Sequence, residues 1–302
     1  MKRSLERREF LGALGAFGAA ALTGETLLNA AENVENVGVP KKIAALADGT
    51  KPTLTVAHCC DPQLGFGVAE NAEAAYRQDL RRLEKEIELV NDARPDVAVF
   101  AGDMTHLVED APRDWPRLLK KIEVPFLIAP GNHDVPDPVK KAALDAYCAI
   151  FGDDNKSLII NGWKIVAANS QFCRPTDETA LYDEHSAWFE AELRDAASKK
   201  TPVIVATHVP PFVKSLDEKD EYFNFPTDKR RAYLDFCVDC GVKFYLAGHT
   251  HTTLEREYRG VPILNGETTS RNFDNRPFGF RMLKVDASMN YEWNFVSVEV
   301  DG

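Results

Sequence analysis

Positive charge is in short supply in this chain: 36 Lys and Arg stand against 47 Asp and Glu, a net charge of −11. An acidic body of this kind repels a phosphodiester backbone, and no basic run exceeds Lys229-Arg230-Arg231, so no nucleic-acid partner is expected. Cysteine is sparse as well. Six cysteines in 302 residues, at scattered spacings, exclude a small disulfide-stapled scaffold. Cys237 and Cys240 have the spacing of a redox or zinc pair, but no second pair accompanies them, and they read as small buried hydrophobes. Cys59 and Cys60 alternate across one strand and read as packing residues. Long apolar runs are missing too: the small-residue run 13–22 is too short to remain as a membrane helix. Internal repeats and low-complexity tracts are absent.

With 44% hydrophobic residues the chain can build a sizeable core. Residues 1–31 stand apart from it. Lys2, Arg3, Arg7 and Arg8 form a charged head before the small-residue apolar run, and Arg7-Arg8 with Phe10-Leu11 matches a twin-arginine export signal, an address and not an anchor. The expected location is therefore periplasmic or otherwise extracytoplasmic, with no stable membrane span in the mature chain. Removing that segment, with its four bases and three acids, makes the remainder one unit more negative. Residues 32–51 read as a linker or arm, and 52–302 as one catalytic domain.

In that domain, β-rich runs at 53–58, 96–101, 124–129 and 202–207 alternate with helical periodicity at 71–91, 115–122, 139–149 and 183–197. Such alternation predicts an α/β fold with parallel strands and crossover helices, whose ligands bind beyond the carboxyl ends of the strands. Asn161-Gly162 predicts a hairpin between 158–160 and 163–168. Residues 212–227, acidic and aromatic without a period, read as a long loop over the site. A helix at 228–240 and a strand at 243–247 follow, with antiparallel strands such as 261–264 and 280–285 to the end.

Chemistry collects at the strand ends. Asp61-Pro62-Gln63, Gly102-Asp103, Gly131-Asn132-His133-Asp134, His208 and Gly248-His249-Thr250-His251 supply the oxygen and nitrogen donors of a dinuclear metal site. Two divalent ions would grip a phosphoryl group and generate the attacking hydroxide between them. Asp103 is the natural bridge, with Asp61, Gln63 and His251 on one ion and Asn132, His208 and His249 on the other. The spacing of His249 and His251, in an extended segment, points both imidazoles to one side. His133 is left over as the proton donor to the leaving oxygen, with Asp134 to orient or charge-stabilise it. Arg271 and Arg276 could fork onto the substrate phosphate. His58 and His185 read as structural.

On these motifs residues 53–264 resemble the calcineurin-like metallophosphoesterase superfamily. Asp61-Pro62-Gln63-Leu64-Gly65, Asn169-Ser170-Gln171-Phe172, His208-Val209-Pro210-Pro211-Phe212 and Tyr222-Phe223-Asn224 are similar, more narrowly, to its calcineurin-like phosphoesterase domain-containing protein 1 subgroup, associated with serine/threonine phosphatase activity. The resemblance implies a sandwich of two mixed β-sheets flanked by helices and a dimetal site at strand C-terminal ends. It also brings Asn169 forward as a substrate contact. Gln63 departs from the superfamily's histidine. Its neutral, harder amide oxygen should weaken that site or favour Mn²⁺ or Mg²⁺ over zinc, with Fe also in range for the pair. His106 stands where the superfamily has a second Asp, and is not taken as a ligand. The function expected is a metal-dependent phosphoester hydrolase acting on a phosphate-ester substrate, first a phosphomonoesterase on phosphoprotein or a small ester. The alternatives are a phosphodiesterase on nucleotides or lipid headgroups, and a non-catalytic phosphate- or metal-binding protein.

Overall fold

The computed structural model describes Lys41–Lys42 and residues 53–300; the expected export signal and most of the expected linker lie outside the described residues. Strand β1 is Lys41–Lys42, β2 Leu54–Cys59, β3 Val97–Ala101 and β4 Phe126–Ala129. Between them run helix α1, Ala72–Ala93, and helix α2, Ala111–Leu118. Next come α3 Lys141–Phe151, β5 Lys156–Ile160, β6 Trp163–Ala167, α4 Thr179–Ser198, β7 Val203–Ala206, α5 Thr227–Asp239 and β8 Val242–Ala247. Strands β9 Leu254–Tyr258, β10 Val261–Asn265, β11 Gly279–Val285 and β12 Asn290–Ser297 complete the described chain.

Two six-stranded sheets result, ordered β1-β12-β11-β2-β3-β4 and β5-β6-β7-β8-β10-β9. The runs β2-β3-β4 and β6-β7-β8-β10 are parallel; antiparallel strands flank the second run on both sides and the first on its β2 side, leaving β4 as an edge. Strand β10 departs from the antiparallel expectation. It pairs antiparallel with β9 but parallel with β8, because the chain after β8 passes through the Gly248–His251 turn and a hairpin before returning.

Burial on both faces explains why the parallel strands read as unbroken apolar runs. Val56, Val97, Val99 and Leu127 of the first sheet pack against Trp163, Ile165, Ile204, Phe244 and Leu246 of the second, which fixes the two sheets face to face. The opposite face of the first sheet packs on α1, α2 and α3 through Leu83, Ile87, Trp115 and Phe151. The second packs on α4 and α5 through Phe189, Leu193 and Leu234. Trp115 is fully buried and its indole N–H donates to the Met104 carbonyl at 3.1 Å, so the chain just past Asp103 is tied to α2. Helix α2 starts and ends four residues earlier than its periodicity predicts, and the positions that follow belong to a 3₁₀ turn at Leu119–Lys121.

Helix α1 also serves the loops. Asn71 caps it, accepting from the Ala74 amide at 2.9 Å, and its buried face carries Asp79 and Arg82 among the apolar residues. The Asp79 carboxylate accepts from the amides of Gly65 and Gly67 at 3.0 and 2.8 Å, and Arg82 donates to the Ser270 carbonyl at 3.2 Å. The loops bearing Gln63 and Arg271 are thus pinned to a rigid helix. All six cysteines are free thiols, and no described helix is long and apolar enough to cross a membrane.

Candidate metal centre

The carboxyl ends of β2, β3, β4, β7 and β8 lie at one end of the sandwich, and there the structure brings Asp61, Gln63, Asp103, Asn132, His208, His249 and His251 together. Two groups of ligating atoms, each within 4.8 Å of one another, are Asp61, Asp103 and His251, and Asp103, His208 and His249. Asp103 belongs to both. Its Oδ2 lies 3.3 Å from His208 Nε2 and 3.4 Å from Gln63 Nε2, while its Oδ1 accepts from the His133 amide at 2.9 Å.

Five of these residues reach the centre from left-handed backbone: Asp61 (φ 48°), Gln63 (32°), Asp103 (50°), His249 (70°) and His251 (51°). Positive φ is uncommon outside glycine and unfavourable, so its concentration here marks a place where geometry is held against local preference. The extended conformation expected between His249 and His251 is corrected by these values. The two imidazoles leave a tight turn, one toward His208 and the other toward Asp61. Close backbone approach also explains two glycines. A Cβ on Gly131 would sit 2.1 Å from Asp103 Oδ1, and one on Gly102, itself at φ 84°, would sit 2.5 Å from His208 Nδ1.

Each imidazole is oriented by a backbone carbonyl. His208 Nδ1 lies 2.8 Å from the Ala101 oxygen, His249 Nε2 lies 2.9 Å from the Tyr222 oxygen, and His251 Nδ1 bonds the Arg271 oxygen. A carbonyl only accepts, so those nitrogens carry the protons and the opposite nitrogens present lone pairs to the centre. They meet other lone pairs there: His208 Nε2 is 3.1 Å from Asn132 Oδ1 and 3.0 Å from His249 Nδ1, and His251 Nε2 is 3.4 Å from Asp61 Oδ1. Gln63 Oε1 is buried with no hydrogen-bond partner.

The crowding of these groups shifts their titration. Burial, joined by the Asp103 carboxylate, pushes Asp61 up to about 8. Burial pulls His208 down, but Asp103 and Asp61 outweigh it and lift the imidazole to about 9. Burial lowers His251 to about 4, and burial with the neighbouring His208 charge lowers His249. A pocket of convergent acceptors that draws a proton onto one histidine is matched to cations, and the mixed carboxylate, amide and imidazole set fits a pair of divalent ions.

His133 lies beside this cluster, half-buried, with Nδ1 2.8 Å from the His106 carbonyl oxygen. The expectation that Asp134 orients it is corrected. Asp134 Oδ1 accepts from the Met104 and Thr105 amides at 2.9 and 3.4 Å and Oδ2 from the Gly131 amide at 2.9 Å, so the carboxylate braces the two ligand loops against each other. Asn169 is corrected as a substrate contact. It is fully buried, its amide donates to Asp154 at 2.9 Å, and its oxygen accepts from the Gln171 amide at 3.0 Å.

Arg276 is engaged in its own loop, Nε 3.0 Å from Asp274 Oδ2. Arg271 is better placed: its guanidinium lies 5.2 Å from the centre of the Phe66 ring, which in turn stacks on His106 at 4.8 Å and meets His251 edge-on at 5.6 Å. Tyr222 has a part that the sequence alone did not reveal: its hydroxyl reaches the Asn132 side chain and its carbonyl the His249 side chain. The signal available was the position of Tyr222-Phe223-Asn224 inside the long loop. His58 and His185 are buried side chains packed away from the cluster, against Cys60 and against Phe172 with Asn155.

Comparison with known proteins gives a family match: the model for calcineurin-like phosphoesterases covers residues 54–253. The serine/threonine-protein phosphatase CPPED1 of Bos taurus is 27% identical over 245 residues, 75% of this chain and 78% of that protein. A probable cyclic nucleotide phosphodiesterase of a Psychrobacter species is 24% identical over 231 residues, 71% of this chain and 63% of its own. Among solved structures, a dimetal phosphatase from Danio rerio superposes with a TM-score of 0.53 at 15% identity, over 82% of this chain and all of that one, which is a likeness of fold.

Proposed function

We propose, from the premise that this chain belongs to the calcineurin-like phosphoesterase family, that its phosphoester hydrolase activity is that of a phosphomonoesterase using two divalent ions held by the cluster around Asp103. The observation that carries this reading is the membership of Asp103 in both ligand groups. In the proposed assignment Asp61, Gln63 and His251 complete one ion's shell, and Asn132, His208 and His249 the other's. Bound there, two such ions supply Lewis acidity to a phosphoryl oxygen and make a water more acidic.

The chain's own residues do the rest. The carbonyls of Ala101, Tyr222 and Arg271 fix the imidazole tautomers, and Asp134 holds the loops after β3 and β4 in register. As the P–O bond to the leaving group breaks, His133 gives that oxygen its proton, the ring being held by the His106 carbonyl. Arg271, beside Phe66, offers a guanidinium to the substrate phosphate.

Likeness to a serine/threonine-protein phosphatase over three quarters of the chain supports a phosphoprotein or small phosphomonoester as substrate. The second reading, a phosphodiesterase, is favoured by likeness to the Psychrobacter protein, since both reactions need the same ligands and differ in pocket shape. Export by the twin-arginine route, and the preference of the Gln63 site for Mn²⁺ or Mg²⁺, belong to the same proposal. Assay of the purified chain with Mn²⁺ on p-nitrophenyl phosphate and bis(p-nitrophenyl) phosphate tests it. Faster turnover of the monoester, lost in Asp103→Asn, supports the reading. A preference for the diester moves the assignment to the second reading, and equal turnover in wild type, Asp103→Asn and His133→Ala returns the chain to the binding-protein class.

A further inference from the structure

The loop 212–226 has no helix or strand, yet it is tied down at many points. Glu218 accepts from the amides of Val213, Lys214 and Ser215 at 2.7, 2.6 and 3.1 Å and from the Asn224 side chain at 2.7 Å. The buried Arg230 donates to the carbonyls of Leu216, Glu218 and Phe225. Arg174, paired with Asp137 at 2.9 Å, donates to the carbonyls of Tyr222 and Asn224. A loop held this firmly presents a fixed surface.

That surface is Tyr222. Its carbonyl accepts from His249 Nε2 at 2.9 Å, and its hydroxyl oxygen accepts from Asn132 Nδ2 at 2.9 Å. Its ring packs 4.8 Å from the His249 ring, with Phe223 at 5.2 Å. The first contact leaves His249 Nδ1 as a lone pair. The second turns the Asn132 amide so that Oδ1, and not the NH₂ group, faces His208 Nε2. Both residues so aligned belong to one half of the cluster; in the other half the Asp61 carboxylate accepts from the His249 main-chain amide at 2.9 Å and His251 Nδ1 bonds the Arg271 carbonyl, and neither bond involves Tyr222.

We propose that Tyr222 is a positioning residue that couples the folding of loop 212–226 to occupancy of one ion site, the one bounded by Asn132, His208 and His249, and leaves the other site uncoupled. The inference rests on the two-ion reading above. Coupling of this kind is reciprocal: what the loop does for the ion's affinity, the bound ion does for the loop's stability. Outer partners of metal ligands change affinity by about 10- to 100-fold when removed.

The test uses the metal-free full chain and Mn²⁺ alone as probe. Calorimetric titration of wild type and Tyr222→Phe is paired with amide hydrogen exchange in residues 212–226. The expected result is two equivalents in wild type, one of them about tenfold weaker in Tyr222→Phe and the other unchanged, with the metal-free melting temperature unmoved. Mn²⁺ should slow exchange in the loop of wild type and slow it less in the variant. Equal weakening of both equivalents, or no weakening, overturns the inference. So does a wild-type loop whose exchange ignores Mn²⁺, a result that needs no variant. Uptake of fewer than two equivalents by wild type instead defeats the two-ion reading first, and this inference with it.

Discussion

The His133 ring is held by a backbone atom of His106: Nδ1 lies 2.8 Å from the His106 carbonyl oxygen, while the His106 ring stacks on Phe66 at 4.8 Å and packs 5.0 Å from the His133 ring without a hydrogen bond to it. Two neighbouring histidines therefore divide one task, and only one of them needs its imidazole for it. His133→Ala is expected to lower kcat by about 10²- to 10⁴-fold, the usual worth of a positioned proton donor, while metal content stays at the wild-type level. His106→Ala keeps the carbonyl and should retain kcat within about threefold of wild type. Steady-state kinetics with metal analysis separate the two, and a His106→Ala loss as deep as that of His133→Ala would show that the His106 ring takes part in the chemistry.

A second expectation concerns Gln63, whose Oε1 is buried without a hydrogen-bond partner. Imidazole is the stronger donor toward zinc, so Gln63→His should tighten one of the two sites by about tenfold and move its preference from Mn²⁺ toward Zn²⁺. Competitive titration of the two metals measures this. Unchanged affinity and unchanged preference would remove Gln63 from the ligand set.

Arginine roles divide by position. Arg271→Ala should raise KM for a phosphomonoester several-fold with little change in metal content, because its guanidinium lies over Phe66 next to the cluster. Arg276→Ala should leave KM near wild type, since Arg276 faces Asp274 in its own loop. The opposite ranking of the two KM values would reverse the assignment.

Stability carries a pH signature away from the metal cluster. Burial pushes Glu86 on α1 up to about 8 from 4.5, hydrogen bonds from Cys59 and Thr269 pulling weakly the other way. Between those pH values the folded chain keeps a proton that the unfolded chain has released. Glu86 therefore contributes most to stability below about 4.5, and its contribution falls as pH rises to about 8. Glu86→Gln should flatten that decline by on the order of 1 kcal/mol per pH unit, read from denaturant midpoints of metal-free protein at pH 5, 6.5 and 8. An identical slope in the variant would place Glu86 as an ordinary ionised carboxylate.

Strand ends were legible from sequence because apolar runs of a parallel sheet end abruptly in polar residues, and Asp61, Asp103, Asn132, His208, His249 and His251 all sit just beyond such runs. Local pattern also found the hairpin at Asn161-Gly162, where both residues take positive φ. It failed where a partner far along the chain decides. Asp134 follows His133 directly, yet its carboxylate turns to amides 30 and 29 residues away. Asn169 shares a motif with Gln171 but is drawn inward by Asp154. Tyr222 reaches Asn132 across 90 positions from a loop without periodicity, and no spacing rule connects them. The pairing of β10 with both neighbours likewise depends on where the chain re-enters the sheet, which periodicity does not encode.

Sharing of one carboxylate between two ions is most directly tested by metal titration of Asp103→Asn beside wild type, with Mn²⁺ and calorimetric detection. The account predicts two equivalents in wild type and, in Asp103→Asn, weakening of both by about tenfold or more, since the same oxygen pair borders both ligand groups. Loss of a single equivalent, with the other bound at wild-type affinity, would contradict it.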